Sequence, residues 1–272
     1  MLPAMAPTTP PSLSARATAA VGVLGLGRLG LLTALGLTAA GVGRLVLDDA
    51  RQVSQHDLGL GGYGPRDVGT MRRVAAARLV AESTDAPGTR VAPAQPHDVP
   101  LCALDALVVV TDEDLAPDRA WRLMGERVAH LVVRCRPDAV DISPVVVPGR
   151  TPCLRCITLH TQDERGTHTF TASAWAPSVA RRPRAATAQD EPLLASAAAV
   201  VVTRSVLAFL DAGRPDATGA EPAWDRTCRT VVTSTHLTLP GARAQEERWP
   251  VHPGCGCTGQ GAAQSSSRAA TA

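Results

Sequence analysis

The sequence predicts an α/β fold, a doubly wound and mostly parallel sheet with a C-terminal antiparallel extension. Three observations carry this. Short runs of small and branched apolar residues alternate with helix-length segments over the first half of the chain. A Gly25-x-Gly27-x-x-Gly30 turn directly follows the first run, the Rossmann-like position for such a turn. The alternation breaks down after Pro137, where two short cysteine pairs, Cys153-Leu-Arg-Cys156 and Cys255-Gly-Cys257, suit a zinc tetrathiolate that ties the extension to the sheet.

Ala19-Ala-Val-Gly-Val-Leu24 reads as a strand, Gly25 to Gly30 as its turn, and the apolar spacing up to Ala40 as a helix. Gly41-Val-Gly43 stops that helix, and Arg44-Leu-Val-Leu47 is a second buried strand running into Asp48-Asp49, which completes a βαβ unit. Gly59 to Gly64 is a loop, and Pro65 to Glu82 has helix-forming composition with a start near Asp67. Val91-Ala-Pro93 is a short strand, Leu107 to Val110 a buried strand ending in Thr111-Asp112-Glu113, Pro117 to Val128 a helix, and His130 to Val133 another strand. Val140 to Val147 reads as an edge strand because Pro144 interrupts it. Residues 161 to 192 read as a polar, irregular surface excursion, Leu193 to Leu210 as a helix packed on the sheet, and Arg229 to Leu239 as a last strand. The expected organisation is one domain over 19–257, its zinc lobe spanning about 140–257, between disordered tails at 1–18 and 258–272.

Composition narrows the chemistry. A net charge of +2 with no basic block, and only seven aromatic residues, argue against a nucleic-acid partner. The chain has no lysine, which excludes Schiff-base chemistry and a Walker-type phosphate lysine. Met1 to Ala20 lacks the basic start and apolar core of a secretory signal. The fifteen uncharged residues Leu29 to Gly43 fall short of the roughly 20 a spanning helix needs. The expectation is therefore a cytoplasmic protein without a membrane partner, in a compartment where clustered cysteines bind metal more readily than they form disulfides.

Gly25, Gly27 and Gly30 open a helix after a strand, and Asp48 at the end of the next strand is placed to accept hydrogen bonds from ribose hydroxyls, the arrangement of a nucleotide site. The plain alternative is a tight turn with nothing bound. For Cys153, Cys156, Cys255 and Cys257 the alternatives to a structural zinc are a redox pair or a disulfide. Cys102, Cys135 and Cys228 fall outside that set; Cys135 is the best placed to serve as a nucleophile, against the plainer reading of a buried thiol. His56-Asp57 reads as a loop pair whose members face solvent separately.

These residues resemble a known family, the ThiF/MoeB group related to ubiquitin-activating enzymes. The resemblance covers roughly residues 20 to 257 and rests on Gly25-Leu-Gly-Arg-Leu-Gly30, Leu47-Asp-Asp49, Asp67-Val-Gly-Thr-Met-Arg72, Val109-Val-Thr-Asp112 and Pro148-Gly-Arg-Thr-Pro-Cys-Leu-Arg-Cys156 with the late Cys-x-Cys. It implies an ATP-dependent adenylyltransferase acting on the C-terminal carboxylate of a carrier protein or peptide, with magnesium-ATP and a structural zinc, and a homodimer. Asp48 would hold the ribose, with Asp49 beside it. Asp112 would sit by magnesium and the α-phosphate, and Arg72 takes the place of a phosphate-binding lysine. Two departures stand out: Leu58 falls where the family places a triphosphate-binding arginine, and Arg28 replaces a glycine of the phosphate turn. Arg28, Arg51 or Arg66 would then have to supply the phosphate contact. The zinc lobe also resembles an actinobacterial subgroup linked to ribosomal-peptide (RiPP, TOMM) biosynthesis, through Leu159-His160 and Trp249-Pro-x-His-Pro-x-Cys255. That opens an alternative, a non-catalytic scaffold binding a precursor leader peptide for a partner cyclodehydratase. A third reading, an NAD-dependent oxidoreductase, would need a catalytic histidine such as His160 or His168.

Overall fold

The computed structural model describes residues 16–59, 62–83, 90–93, 101–165, 191–212, 232–238 and 243–258. They build one eight-stranded sheet in the order β3-β2-β1-β4-β5-β6-β7-β8. Its strands are β1 (Ala20–Leu24), β2 (Arg44–Asp48), β3 (Arg90–Pro93), β4 (Ala106–Thr111), β5 (His130–Cys135), β6 (Ala139–Ile142), β7 (Thr233–Thr238) and β8 (Arg243–Arg248). The first five run parallel, while β6, β7 and β8 are antiparallel additions.

Parallel strands need both faces covered, and the alternation along each strand divides its side chains between two apolar layers. Val21 and Val23 of β1, Leu45 and Leu47 of β2, and Val108 and Val110 of β4 face one layer. It is completed by helices α1 (Arg28–Ala39), α2 (Arg72–Glu82) and α5 (Pro192–Ala212). Ala20, Val46, Leu107, Val109 and Val132 face the other, with Leu123 of α3 (Pro117–Gly125) and Leu154 of α4 (Leu154–Arg165). Helix α5 is long and apolar enough to cross a membrane by length and composition. In the fold its Leu194, Ala198, Val202, Val206 and Phe209 lie in the first core layer.

Several expected elements differ. The segment from Pro65 is not one helix: Pro65–Asp67 is a 3-10 turn and α2 begins only at Arg72. The intervening residues pair with the strand-like stretch before them, with Val53 N–H donating to Thr70 O at 2.8 Å and Gly69 N–H to Val53 O at 2.9 Å. Asp67 instead accepts from Gly64 N–H at 2.8 Å, which closes the turn rather than starting the helix. The expected edge strand over Val140 to Val147 is shorter and interior: β6 ends at Ile142 and pairs on both sides. Pro144 falls beyond the strand, so its missing N–H costs the ladder nothing. Ser143 leaves the sheet through a reciprocal pair of bonds with the Val132 backbone, each 2.9 Å.

Helix α3 stops at Gly125, and Arg127 turns the chain with φ of 57°. Helix α4 occupies the start of the expected irregular excursion and Pro192, at its end, opens α5; residues 166–190 between them lie outside the described residues. Strand β7 covers the described part of the expected last strand, and β8 was not anticipated. Cys228, His168, residues 1–15 and residues 259–272 lie outside the described set, whereas Arg16, within the expected tail, ion-pairs with Asp211 of α5 at 2.5 Å.

Candidate functional site

In the strand order, β1 lies between β2 and β4, whose following segments return on opposite sides of the sheet. The carboxyl ends of β1 and β4 therefore border the crevice where open α/β sheets bind ligands. Gly25 leaves β1 with φ of +87°, and a Cβ there would lie 2.1 Å from Val110 O, so only glycine fits between the first turn and β4. Gly30 is held to glycine for a different reason, since its Cβ would lie 1.9 Å from Gly25 O. Together they let α1 start tight against the sheet, with Gly27 as its N-cap and the helix N-terminus aimed at the crevice.

The acids come to the same edge. Asp48 ends β2, Asp112 follows Thr111 at the end of β4, and Asp49 sits between them in a buried position. Asp49 accepts from Leu26 N–H at 2.8 Å, which pins the glycine turn, and from Arg51 N–H and Nε at 2.9 and 3.0 Å. Burial works to raise its pKa, but the Arg51 guanidinium and the two backbone donors outweigh that and leave the carboxyl below its ordinary value. Arg51 Nη1 reaches Asp112 at 3.4 Å.

The other two arginines of the crevice point inward. Arg72 is buried, with Nη2 2.7 Å from both oxygens of Asp57 and Nη1 3.3 Å from Asp49. Arg28, also buried, donates through Nη2 to Leu58 O at 2.6 Å and His56 O at 3.0 Å. Arg66 is far from this group in role, pairing with Glu82 at 3.3 Å on the exposed surface of α2. Two participants were missed from sequence. Asp57, expected to face solvent with His56, is buried as the partner of Arg72 and caps its own turn through Ser54. Tyr63, the single tyrosine, is buried and donates to Leu26 O at 2.7 Å, and burial raises its pKa. A lone aromatic inside a glycine-rich loop was the available signal for it.

The second site is the cysteine cluster. Cys153 and Cys156 flank the first turn of α4, and Cys255 and Cys257 lie in the loop after β8. Their four Sγ atoms lie within 4.8 Å of one another. The Cys153–Cys255 and Cys156–Cys257 separations are 3.4 Å and Cys153–Cys156 is 3.9 Å. A tetrahedron with metal–sulfur bonds of about 2.3 Å requires sulfur separations of about 3.8 Å, so the cluster is able to hold a metal ion. The titration pattern agrees with crowding. Donation from the Cys153 and Cys257 thiols holds Cys156 far below its ordinary value, while burial and its sulfur neighbours push Cys255 up to about 12. Ionising all four thiols at such separations would require a cation among them.

The residues around the cluster lock it. His252 accepts Gly254 N–H at Nδ1, 3.0 Å, which places its ring proton on Nε2, 2.8 Å from Asp163 of α4. His160 packs edge-on against His252 with ring centroids 4.7 Å apart, and Trp249 donates to Ser234 Oγ at 2.8 Å. Cys135 is buried at the end of β5 and Cys102 is exposed, and neither lies in the four-cysteine group.

No protein-family model matches the sequence, and no curated protein matches it. Solved structures do match. The Microcin C7 biosynthetic enzyme MccB in complex with N-formylated MccA superposes with a TM-score of 0.60 at 16% identity, covering 91% of this chain and 69% of that one. The chain has the MccB fold. E. coli MccB with AMPCPP and MccA gives the same TM-score and identity over 90% of this chain and 68% of that chain. PaaA gives 0.56 at 16% identity over 87% and 75%.

Proposed function

We propose that the chain is a ThiF-type adenylating enzyme that uses magnesium-ATP to activate a carboxylate of a precursor peptide or carrier protein. The observation that carries this reading is the convergence of the glycine turn, Asp48 and Asp112 on the β1–β4 crevice of a fold shared with MccB, which was solved with AMPCPP and MccA bound together. Asp48 takes the ribose hydroxyls and the turn presents backbone N–H groups to the phosphates. Asp112 would hold magnesium, which would supply positive charge to the phosphates, while the peptide or carrier carboxylate attacks the α-phosphorus in line and pyrophosphate departs. Asp49 does not touch the nucleotide in this scheme; it fixes the turn through Leu26 N–H.

The four cysteines fit a structural zinc. The ion would neutralise the crowded thiolates and staple the loop after β8 to α4, and no step of the reaction passes through it.

One observation favours a second reading, a peptide-presenting scaffold for a cyclodehydratase. Arg28 and Arg72 are spent on internal carbonyls and carboxylates, and Leu58 offers no charge. Binding separates the two. Asp48→Ala and Asp112→Ala are expected to weaken magnesium-ATP binding by about 10-fold or more each while leaving the thermal midpoint within a few degrees. Unchanged affinity in both variants would remove the nucleotide from this crevice.

A further inference from the structure

The crevice holds more acid than base. Asp48, Asp49, Asp57 and Asp112 face Arg28, Arg51 and Arg72, which leaves one negative charge in excess among these seven side chains. A triphosphate adds several more, so magnesium and at least one available guanidinium are needed. Three arginines compete for that role, and burial separates them. The side chains of Arg72 and Arg28 lie inside the fold, and Arg72 is clamped between Asp57 and Asp49. Swinging it out would leave the buried Asp57 without its guanidinium. Moving Arg28 would forfeit its bonds to two loop carbonyls, and it is packed so closely that a Cβ on Gly59 would lie 2.1 Å from its Nη1.

Arg51 differs. Its side chain is 41% exposed, and its two ends hold partners of different quality. Nε and Nη2 grip Asp49 at 3.0 and 2.9 Å, a short two-pronged contact with a buried carboxylate. Nη1 reaches Asp112 at 3.4 Å, a long, solvent-facing contact of the weak and readily exchanged kind. Asp49 follows β2 and Asp112 follows β4, with β1 between them, two strand spacings or about 10 Å of backbone. The two carboxylates converge on this one guanidinium at the carboxyl end of β1, and Asp49 ties it to the glycine turn through Leu26 N–H, the place where the phosphates would lie.

Building on the adenylating reading above, the geometry points to Arg51 as the phosphate-binding cation of this chain and as a placeholder on Asp112. Without nucleotide, Nη1 neutralises Asp112. When magnesium-ATP enters, magnesium takes Asp112 and Nη1 turns to a phosphate oxygen, while Nε and Nη2 remain on Asp49. The arginine that the family resemblance places at position 58 is thus replaced from the next segment upstream, by a residue already anchored to the carboxylate that holds the turn. A planar fork is required for this, because one side-chain group must keep Asp49 and gain phosphate at once.

The test compares magnesium-ATP and adenosine binding, by calorimetry and ligand-observed NMR, in the wild-type chain, R51Q and R51K, with thermal melts as the folding control. R51Q is expected to lose about 10- to 100-fold in magnesium-ATP affinity with adenosine affinity unchanged, since only the phosphates meet Arg51. R51K, which keeps a charge for Asp49 and so folds even where R51Q does not, is expected to fall between the two. Wild-type binding of magnesium-ATP that both variants match would overturn the assignment and leave the adenylating reading standing. Equal losses for ATP and adenosine would also overturn it, by making Arg51 a structural prop of the turn. A wild-type chain that binds no magnesium-ATP at millimolar concentration would overturn the reading and this assignment together.

Discussion

Asp49 shows how one buried carboxylate organises a site it does not enter. It joins the turn, through Leu26 N–H, to Arg51 and Arg72, so its charge is matched before any ligand arrives. Its folded pKa is depressed, so its contribution to stability is complete above its ordinary value of 3.8 and is lost as pH falls through the lower folded value. His130 acts in a milder range. Its Nδ1 donates to Val128 O at 2.9 Å, and burial lowers its pKa from 6.5. The native state then binds fewer protons than the unfolded one, so stability falls as pH drops below 6.5. The thermal midpoint is expected to decline from pH 7.5 to 5.5. His130→Asn, which keeps a donor for Val128 O, should flatten that decline, and an unchanged slope would show that other groups set it. At this scale Gly25, Gly30, Asp48 and Asp112 were legible because backbone sterics and strand ends fix them. Arg72 was expected to face the phosphates, and its inward pairing with Asp57 was not legible: neighbouring letters carry no record of which long side chain turns inward.

Two elements, the cysteine knuckles and β8, show opposite limits of reading a sequence. The convergence of the two cysteine pairs was legible because ligand spacing is local, and a pair spaced to chelate one ion keeps that spacing whatever the surrounding fold. Their supporting shell of His252, Asp163, His160 and Trp249 joins α4 to the segment after β8 across about ninety residues, which no local pattern reports. Cys255→Ser removes one of four thiolates. The wild-type chain is expected to carry about one zinc per molecule by elemental analysis, and the variant to lose both the metal and much of its thermal stability. A metal-free wild-type chain with an undiminished melt would contradict a structural zinc. Strand β8, Arg-Ala-Gln-Glu-Glu-Arg, has no apolar alternation, and none of its residues is buried. Its charges suit an edge that resists pairing with other strands, and among the described residues it pairs only with β7.

At the scale of the whole molecule, the parallel half was legible because strands covered on both faces are continuously apolar, as in Leu107 to Val110. The antiparallel half was read less well. Pro144 suggested an edge, but the strand ends two residues before it and is enclosed by β5 and β7. Polar residues inside that extension are paired across strands: Asp141 accepts from His236 at 2.5 Å and lies 3.2 Å from Arg134, in register on β5, β6 and β7. Buried Arg134 and Asp141, with half-buried His236 beside them, read in sequence as surface. The same overall arrangement leads to the central claim, since the crevice at the β1–β4 switch point is where this fold brings glycine turn, acids and Arg51 together.

Calorimetric titration of the zinc-loaded chain with magnesium-ATP, with ATP in EDTA and with NAD tests that claim most directly. Saturable binding of ATP that depends on magnesium, with no binding of NAD, is the predicted result, because the excess carboxylate of the crevice rejects a triphosphate that arrives without its cation. Absence of binding at millimolar magnesium-ATP, or tighter binding of NAD, would contradict it.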